Sequence, residues 1–289
     1  MKTYSGKGLP ARSIKVSDIS DIMKKYSTVL TIAGSDSVGG AGNQADIKAI
    51  SATGSYAASA ITAVTVQNTL GVSAVHPVPV EIITGQIRAV LSDIGADAVK
   101  IGMLNLPEVV MAVAGELDAF GVRNVVLDPV MVATSGDRLI SEDSIDVLVR
   151  ELVPRARVIT PNIPEAEILS GEKISSHSQM EDIARRLAIP GKVSVLLKAG
   201  HLEDSETLTD IFYNAESGSI LRLPTKKVHT PNTHGTGCTL SSSLASFLAQ
   251  GLALDDAVRA AHSYLASAIL SGAQYSIGSG HGPVNHFWK

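Results

Sequence analysis

The chain has 289 residues, 45% of them hydrophobic and 18% charged, with a formal net charge of −4. That composition excludes low-hydropathy disorder and supplies a sizeable core; the mild negative charge excludes a general polyanion-binding surface, so no nucleic-acid partner is expected and any phosphate site must be local. A single cysteine, Cys238, rules out an intramolecular disulfide and fits a reducing cytoplasm.

Residues 1–27 carry weak periodicity and read as a loosely attached extension ahead of one α/β domain over residues 28–289. No apolar run of the signal-peptide kind builds up before Lys25, and the most apolar stretch, residues 56–66, is too short to cross a bilayer. A cytoplasmic location without a membrane partner is expected. Residues 29–33 read as a strand, 44–53 as a helix, 58–66 as β-rich and 81–92 as helical. A strand at 98–101 precedes a helix at 106–120. Strands at 124–127 and 158–160 bracket a helix at 141–149, and a helix at 179–187 leads to a strand at 193–198. Such β-then-α alternation implies crossover connections and a mainly parallel sheet with helices on both faces. Residues 208–213, 219–223 and 227–229 read as short, closely spaced strands, so an antiparallel edge is expected there. In the tail, Leu240, Leu244, Phe247 and Leu248 form one apolar stripe with Gly251 as its stop, and a last helix carries Val258, Ala261, Leu265 and Ile269.

Ligand sites in open parallel sheets lie beyond the C-terminal ends of the strands. The first strand runs into Gly34-Ser35-Asp36-Ser37-Val38-Gly39-Gly40-Ala41-Gly42-Asn43-Gln44-Ala45-Asp46. Its glycines let backbone approach a ligand, though a turn needed only for helix–sheet packing would use them equally. Gly40 to Ala45 also satisfies the G-x-G-x-x-A dinucleotide pattern. No Asp or Glu lies between Ile47 and Val80 to hold a ribose, which counts against a dinucleotide-dependent dehydrogenase.

Asn232-Thr233-His234-Gly235-Thr236-Gly237-Cys238-Thr239 leads straight into the amphipathic tail helix. Gly235 to Gly237 can turn N–H groups toward one point where the helix dipole adds its positive end, an anion site. Cys238 stands in that first turn, where the dipole is expected to lower a thiol pKa. Phosphoryl transfer to an alcohol needs this pairing of amide donors with a base; the plain alternative is a small buried side chain. Asp128, before Pro129, and Glu165, beside Pro164, are carboxylates suited to Mg²⁺ held largely through water or to ordinary turn and capping duty. Lys198 is within reach of a nucleotide phosphate. Asp46 and Gln67-Asn68 are expected to face one crevice, where a carboxylate plus a carboxamide suits a small heterocycle better than a sugar. The eight histidines show no metal spacing and read as structural or surface.

Taken in order, these segments resemble the ribokinase-like superfamily, and within it the hydroxymethylpyrimidine/phosphomethylpyrimidine kinase family of thiamine biosynthesis. The resemblance spans residues 29–287. It rests on Thr31-Ile32-Ala33-Gly34-Ser35-Asp36, Gln44-Ala45-Asp46, Val66-Gln67-Asn68-Thr69, Lys100-Ile101-Gly102-Met103-Leu104, Leu127-Asp128-Pro129-Val130-Met131, Thr160-Pro161-Asn162, Thr233-His234-Gly235-Thr236-Gly237-Cys238-Thr239 and Gly282-Pro283-Val284-Asn285-His286. It implies a ribokinase-like α/β fold and an ATP-dependent kinase, usually a homodimer. That kinase phosphorylates 4-amino-5-hydroxymethyl-2-methylpyrimidine and then carries the monophosphate to the pyrophosphate. Gly34, Asp46 and Gln67 would hold the pyrimidine and Met103 would line its pocket. Gly235, Thr236 and Gly237 would form the anion hole, and Cys238 would be the base where most of the superfamily has an aspartate. Asp128 and Glu165 would serve Mg²⁺, and Asn162 and Lys198 the ATP. Val38 and Asn43 depart from the usual small and apolar residues. A pyridoxal or pyridoxine kinase of the same superfamily is the alternative; such enzymes tend to lack the Gln67-Asn68-Thr69 segment.

Overall fold

The computed structural model describes residues 24–131, 140–200, 202 and 206–288. Its first strand, β1 (Thr28–Ala33), buries all six side chains, as a central strand covered on both faces must. The chain continues through α1 (Gly42–Ala52), β2 (Tyr56–Ile61), β3 (Ala63–Asn68), β4 (Gly71–Pro77), α2 (Val80–Asp93), β5 (Ala98–Ile101), α3 (Pro107–Ala119) and β6 (Val125–Leu127). Then follow α4 (Glu142–Glu151), a 3₁₀ turn (Val153–Arg155), β7 (Val158–Ile159), α5 (Ile163–Ser170), α6 (His177–Leu187) and β8 (Ser194–Leu197). Last come β9 (Thr207–Asn214), β10 (Ser219–Lys226), α7 (Thr236–Ala249) and α8 (Leu254–Gly272).

One sheet has the order β10-β9-β8-β7-β6-β5-β1-β2. From β2 to β8 every pairing is parallel, and β9 and β10 close it as an antiparallel edge. Side-chain alternation along the strands divides the core in two. Leu30, Ile32, Val99 and Ile101 pack against α2, α3, α4 and α6 on one face. Val29, Ala98, Val126 and Leu196 meet Leu240, Leu244 and Val258 from α7 and α8 on the other. Gly251, at φ +85°, follows the end of α7 as the sequence suggests.

The structure departs from the sequence reading at four places. The single β-rich run at 58–66 breaks at Thr62. There the Thr62 amide donates to the Ala33 carbonyl, its own carbonyl accepts from Val78, and the chain leaves the large sheet to form the separate β3–β4 hairpin. Strand β4 is not foreseen because most of it is exposed and so lacks an apolar alternation. Helix α5 goes unassigned although Pro164 and Glu165 mark its first turn, and residues 227–229 form no strand because the sheet ends at β10. Residues 1–23 of the expected extension lie outside the described residues; Tyr26 packs on Tyr56, their ring centroids 5.8 Å apart.

Candidate active site

A cavity of about 430 Å³ opens beyond the carboxyl ends of the parallel strands. Five of the parallel strands deliver a residue to it: Gly34 after β1, Met103 after β5, Asp128 after β6, Asn162 after β7 and Lys198 after β8. Gln67 of the hairpin and Cys238 with the first turn of α7 line it as well.

The glycine-rich loop is held by Asp36. Its Oδ2 accepts from the Gly40 and Ala41 amides at 3.0 and 2.8 Å, and its Oδ1 from the Val38 amide at 3.0 Å. Those amides are thereby spent, so the G-x-G-x-x-A stretch does not offer its N–H groups to a dinucleotide pyrophosphate. A Cβ on Gly34 would lie 2.6 Å from the Met103 methyl carbon, so any side chain there would have to push the end of Met103 aside.

Asp46 does not face the crevice. Helix α1 turns its carboxylate down toward the sheet, where it is fully buried and fully used. Lys100 Nζ donates to both oxygens at 2.8 Å, Thr31 Oγ1 donates at 2.6 Å and Ser242 Oγ at 2.6 Å. The expectation of a pyrimidine ligand here is corrected: an acidic residue near a helix start does not disclose which face it occupies.

At the start of α7 the N-cap is Gly235, in the left-handed region at φ +78°. A Cβ on Gly235 would fall 1.8 Å from the Gly40 carbonyl oxygen, so this turn packs directly on the glycine-rich loop. The Thr236 amide donates weakly to the Thr233 carbonyl at 3.3 Å, whereas neither the Gly237 nor the Cys238 amide has an acceptor among the described residues. Gly235→Ala should therefore displace the turn and lower kcat about 10²–10³-fold, the worth of a lost donor in such a hole. Steady-state kinetics on a variant shown to be folded checks this, and a kcat within twofold would contradict it.

Cys238 is half-buried and opens onto the cavity. Burial pushes its thiol up to about 11, against the pull of Lys100 and the Gly42 N–H and with the help of the Asp46 and Asp128 carboxylates. The lowered pKa expected from the helix dipole is thus corrected: desolvation and two carboxylates outweigh it.

Asp128 Oδ1 accepts from Lys198 Nζ and Thr160 Oγ1, each at 2.9 Å. Burial pushes this carboxyl up, but Lys198 and Lys100 prevail and hold it below the usual range. Asn162 and Glu165 form the capping box of α5, with the Asn162 amide donating to Glu165 Oε2 at 2.8 Å and the Glu165 amide to Asn162 Oδ1 at 2.9 Å. Burial pushes Glu165 up to about 7, against Lys198 and helped by Asp128. Two oxygens remain for a cation: Asp128 Oδ2, which Ser241 Oγ meets only at 3.4 Å, and Glu165 Oε1, which the Met131 amide meets only at 3.4 Å.

Sequence reasoning missed several residues of the cavity. Asp36 was signalled only by its place in a glycine turn, where Asp side chains bind nearby amides. Lys100 carried a stronger signal, because a charge inside an apolar strand needs a buried partner. His234 was read as structural or surface, yet it lines the cavity, with Nε2 2.9 Å from Asp36 Oδ2. Beyond Lys198 the wall continues through Asp210, Thr225 and His262, whose Nε2 lies 2.9 Å from Thr225 Oγ1.

Unpaired amides at a helix start, a thiol beside them and a lysine–aspartate pair across a doubly wound sheet define a small-molecule kinase of the ribokinase-like fold. The profile of the family described as phosphomethylpyrimidine kinase matches residues 36–285. The chain belongs to that family and is a kinase. It is 49% identical over 264 residues to a hydroxymethylpyrimidine/phosphomethylpyrimidine kinase of Rhizobium meliloti, covering 90% of this chain and 98% of that one. Among solved structures it resembles the phosphomethylpyrimidine kinase of Clostridium difficile 630 with a TM-score of 0.73 and 40% identity, over 84% and 99% of the two chains. It also resembles a pyridoxal kinase of Staphylococcus aureus in complex with AMP-PCP and pyridoxal, with a TM-score of 0.79 and 32% identity, over 90% and 93%.

Proposed function

We propose that this chain transfers the γ-phosphoryl group of ATP to the hydroxymethyl group of 4-amino-5-hydroxymethyl-2-methylpyrimidine, and then a second one to the resulting monophosphate. The observation that carries this reading is that Cys238 and the unpaired Gly237 and Cys238 amides line the same cavity as Gln67, Gly34 and Met103 and as Lys198, Asp128 and Asn162. We assign Gln67, Gly34 and Met103 to the pyrimidine side of that cavity and Lys198, Asp128 and Asn162 to the nucleotide side. The family match and the pyridoxal kinase holding AMP-PCP support ATP as donor.

In the first transfer the acceptor is an alcohol, so its oxygen must lose a proton as it attacks phosphorus; Cys238 Sγ is the group placed to take it. The amides of α7 receive charge on the phosphoryl oxygens, and Lys198 Nζ offsets charge on the nucleotide side. The residues fit a Mg²⁺ ion bound mainly by water and nucleotide phosphates, with Asp128 Oδ2 and Glu165 Oε1 as its protein side. When bound, that ion would neutralise phosphate charge. We place one kinase domain over residues 28–289, since both packed cores share one sheet, and take it to be a cytoplasmic homodimer as its family resemblance implies. No helix among the described residues is long and apolar enough to cross a membrane.

An ATP-consumption assay with hydroxymethylpyrimidine, its monophosphate and pyridoxal as separate acceptors tests the reading. Turnover of the first two is the expected result, and turnover of pyridoxal alone would reassign the substrate. Gln67→Ala should raise KM for the pyrimidine about tenfold, the worth of one hydrogen bond, and leave KM for ATP within twofold. An unchanged pyrimidine KM would remove Gln67 from the pocket.

A further inference from the structure

His234 Nε2 faces two groups at once: Asp36 Oδ2 at 2.9 Å and the side-chain amide of Gln67 at 3.3 Å. Burial pushes the Asp36 carboxyl up, but the His234 bond and the Ala41 and Val38 amides prevail, so it is held as a carboxylate. A carboxylate only accepts, so the ring nitrogen facing it carries the hydrogen. A nitrogen that carries a hydrogen cannot also accept from the Gln67 NH₂ group. The neighbour at 3.3 Å is therefore the amide oxygen, reached by a half-turn of the amide.

The other side of the same amide agrees. Thr65 Oγ1 has one hydrogen, and it goes to the Ser35 carbonyl at 2.7 Å. At 3.4 Å from the Gln67 amide, Thr65 Oγ1 is then an acceptor, which calls for nitrogen on that side. A turned Gln67 suits both ends: its oxygen takes the weaker share of the single His234 Nε2–H, which is given mainly to Asp36, where an NH₂ group would meet that hydrogen head-on, and its nitrogen donates to Thr65. One N–H of Gln67 is left over, on a residue that lines the cavity.

We propose that His234 is a positioning residue that, anchored by Asp36, fixes the Gln67 amide so that it offers the pyrimidine an N–H donor and not its carbonyl. The site then selects a substrate with a ring nitrogen, an acceptor, at that position. This rests on the pyrimidine reading of the cavity given above. It makes His234, next to Gly235 in the chain, a specificity determinant as well as part of the turn.

The test compares kcat/KM for hydroxymethylpyrimidine with that for the two pyridine analogues in which one or the other ring nitrogen is replaced by C–H. Their ratio within one variant cancels any loss of kcat from a shifted anion hole. Wild-type enzyme should disfavour one analogue about tenfold or more, because an unmatched buried donor is costly. His234→Ala should reduce that preference to about twofold with KM for ATP little changed, and His234→Gln, which keeps a side-chain N–H toward Asp36, should restore most of it. Thr65→Val, which leaves His234 in place, should also weaken the preference and serves if His234→Ala does not fold. Wild-type enzyme that uses the pyrimidine without preferring it to either analogue overturns the proposal. So does a preference retained in His234→Ala, or, if that variant does not fold, in Thr65→Val. Wild-type enzyme that does not use the pyrimidine at all overturns the functional reading and the proposal with it.

Discussion

Cys238→Ala should slow phosphorylation of the hydroxymethyl group by about 10²–10⁴-fold, the usual worth of a general base, and leave phosphorylation of the monophosphate within about tenfold of wild type. The two acceptors differ in one respect that matters here. An alcohol oxygen carries a proton that must depart as the new P–O bond forms, whereas the phosphate acceptor is already an oxyanion. The structure adds a pH signature. A thiol pushed up to about 11 is almost entirely protonated at neutral pH, and its thiolate population grows about tenfold per pH unit below that value. The rate of the first step should accordingly climb with pH across the neutral and mildly alkaline range, and the second should stay nearly flat. In Cys238→Ala the climb should vanish. Parallel measurements with each acceptor decide it: equal losses in both steps, or a climb that survives the substitution, would mean that the sulfur acts by packing and not by taking a proton.

The fold was legible to the extent that local patterns dictate it. Runs such as residues 125–127, and 98–101 apart from Lys100, are apolar because helices cover both faces of the sheet, and that is visible without coordinates. The β3–β4 hairpin was not, since Val64 and Val66 face solvent and β4 has almost no buried side to set a period. For the site, strand ends and the glycine turn before Cys238 could be read from order alone. Direction could not. Asp46 reads as a crevice residue because it lies near a helix start beside a glycine loop; only its bonds to Thr31, Lys100 and Ser242 show that it points the other way. The sign of the Cys238 shift failed for the same reason. The dipole of α7 is local and readable, but the Asp46 and Asp128 carboxylates and the depth of the crevice come from segments about 190 and 110 residues away in the chain, and their summed effect is larger than that of one helix start.

Lys100→Met should cost about 3–5 kcal/mol of folding stability, the range found when one partner of a buried ion pair is removed. Both partners are completely buried and 2.8 Å apart. Burial alone would drive the Lys100 ammonium toward its neutral form, yet Asp46, helped by Cys238 and Asp128, holds its pKa above the ordinary lysine value. A lysine whose pKa is raised on folding contributes stability that is present below its unfolded value and is lost only in strong alkali, so the loss in the variant should appear undiminished from pH 6 to 9. The pair is no measure of net gain over an apolar core, because desolvating two charges offsets most of their attraction; the damage comes from stranding one carboxylate. This can be separated by experiment. Adding Asp46→Asn to Lys100→Met removes the stranded charge and keeps an oxygen for the Thr31 and Ser242 hydroxyls, so the double variant should recover at least half of the loss in equilibrium denaturation. A single variant that loses less than about 1 kcal/mol would contradict the account. The consequence for catalysis follows from where the carboxylate sits. Thr31 of β1, Asp46 of α1, Lys100 of β5 and Ser242 of α7 meet at this one group, and Ser242 lies one helical turn beyond Cys238 on the same face. Breaking the pair should therefore loosen α7 at its catalytic end, and the double variant should regain first-step activity only as far as it regains stability.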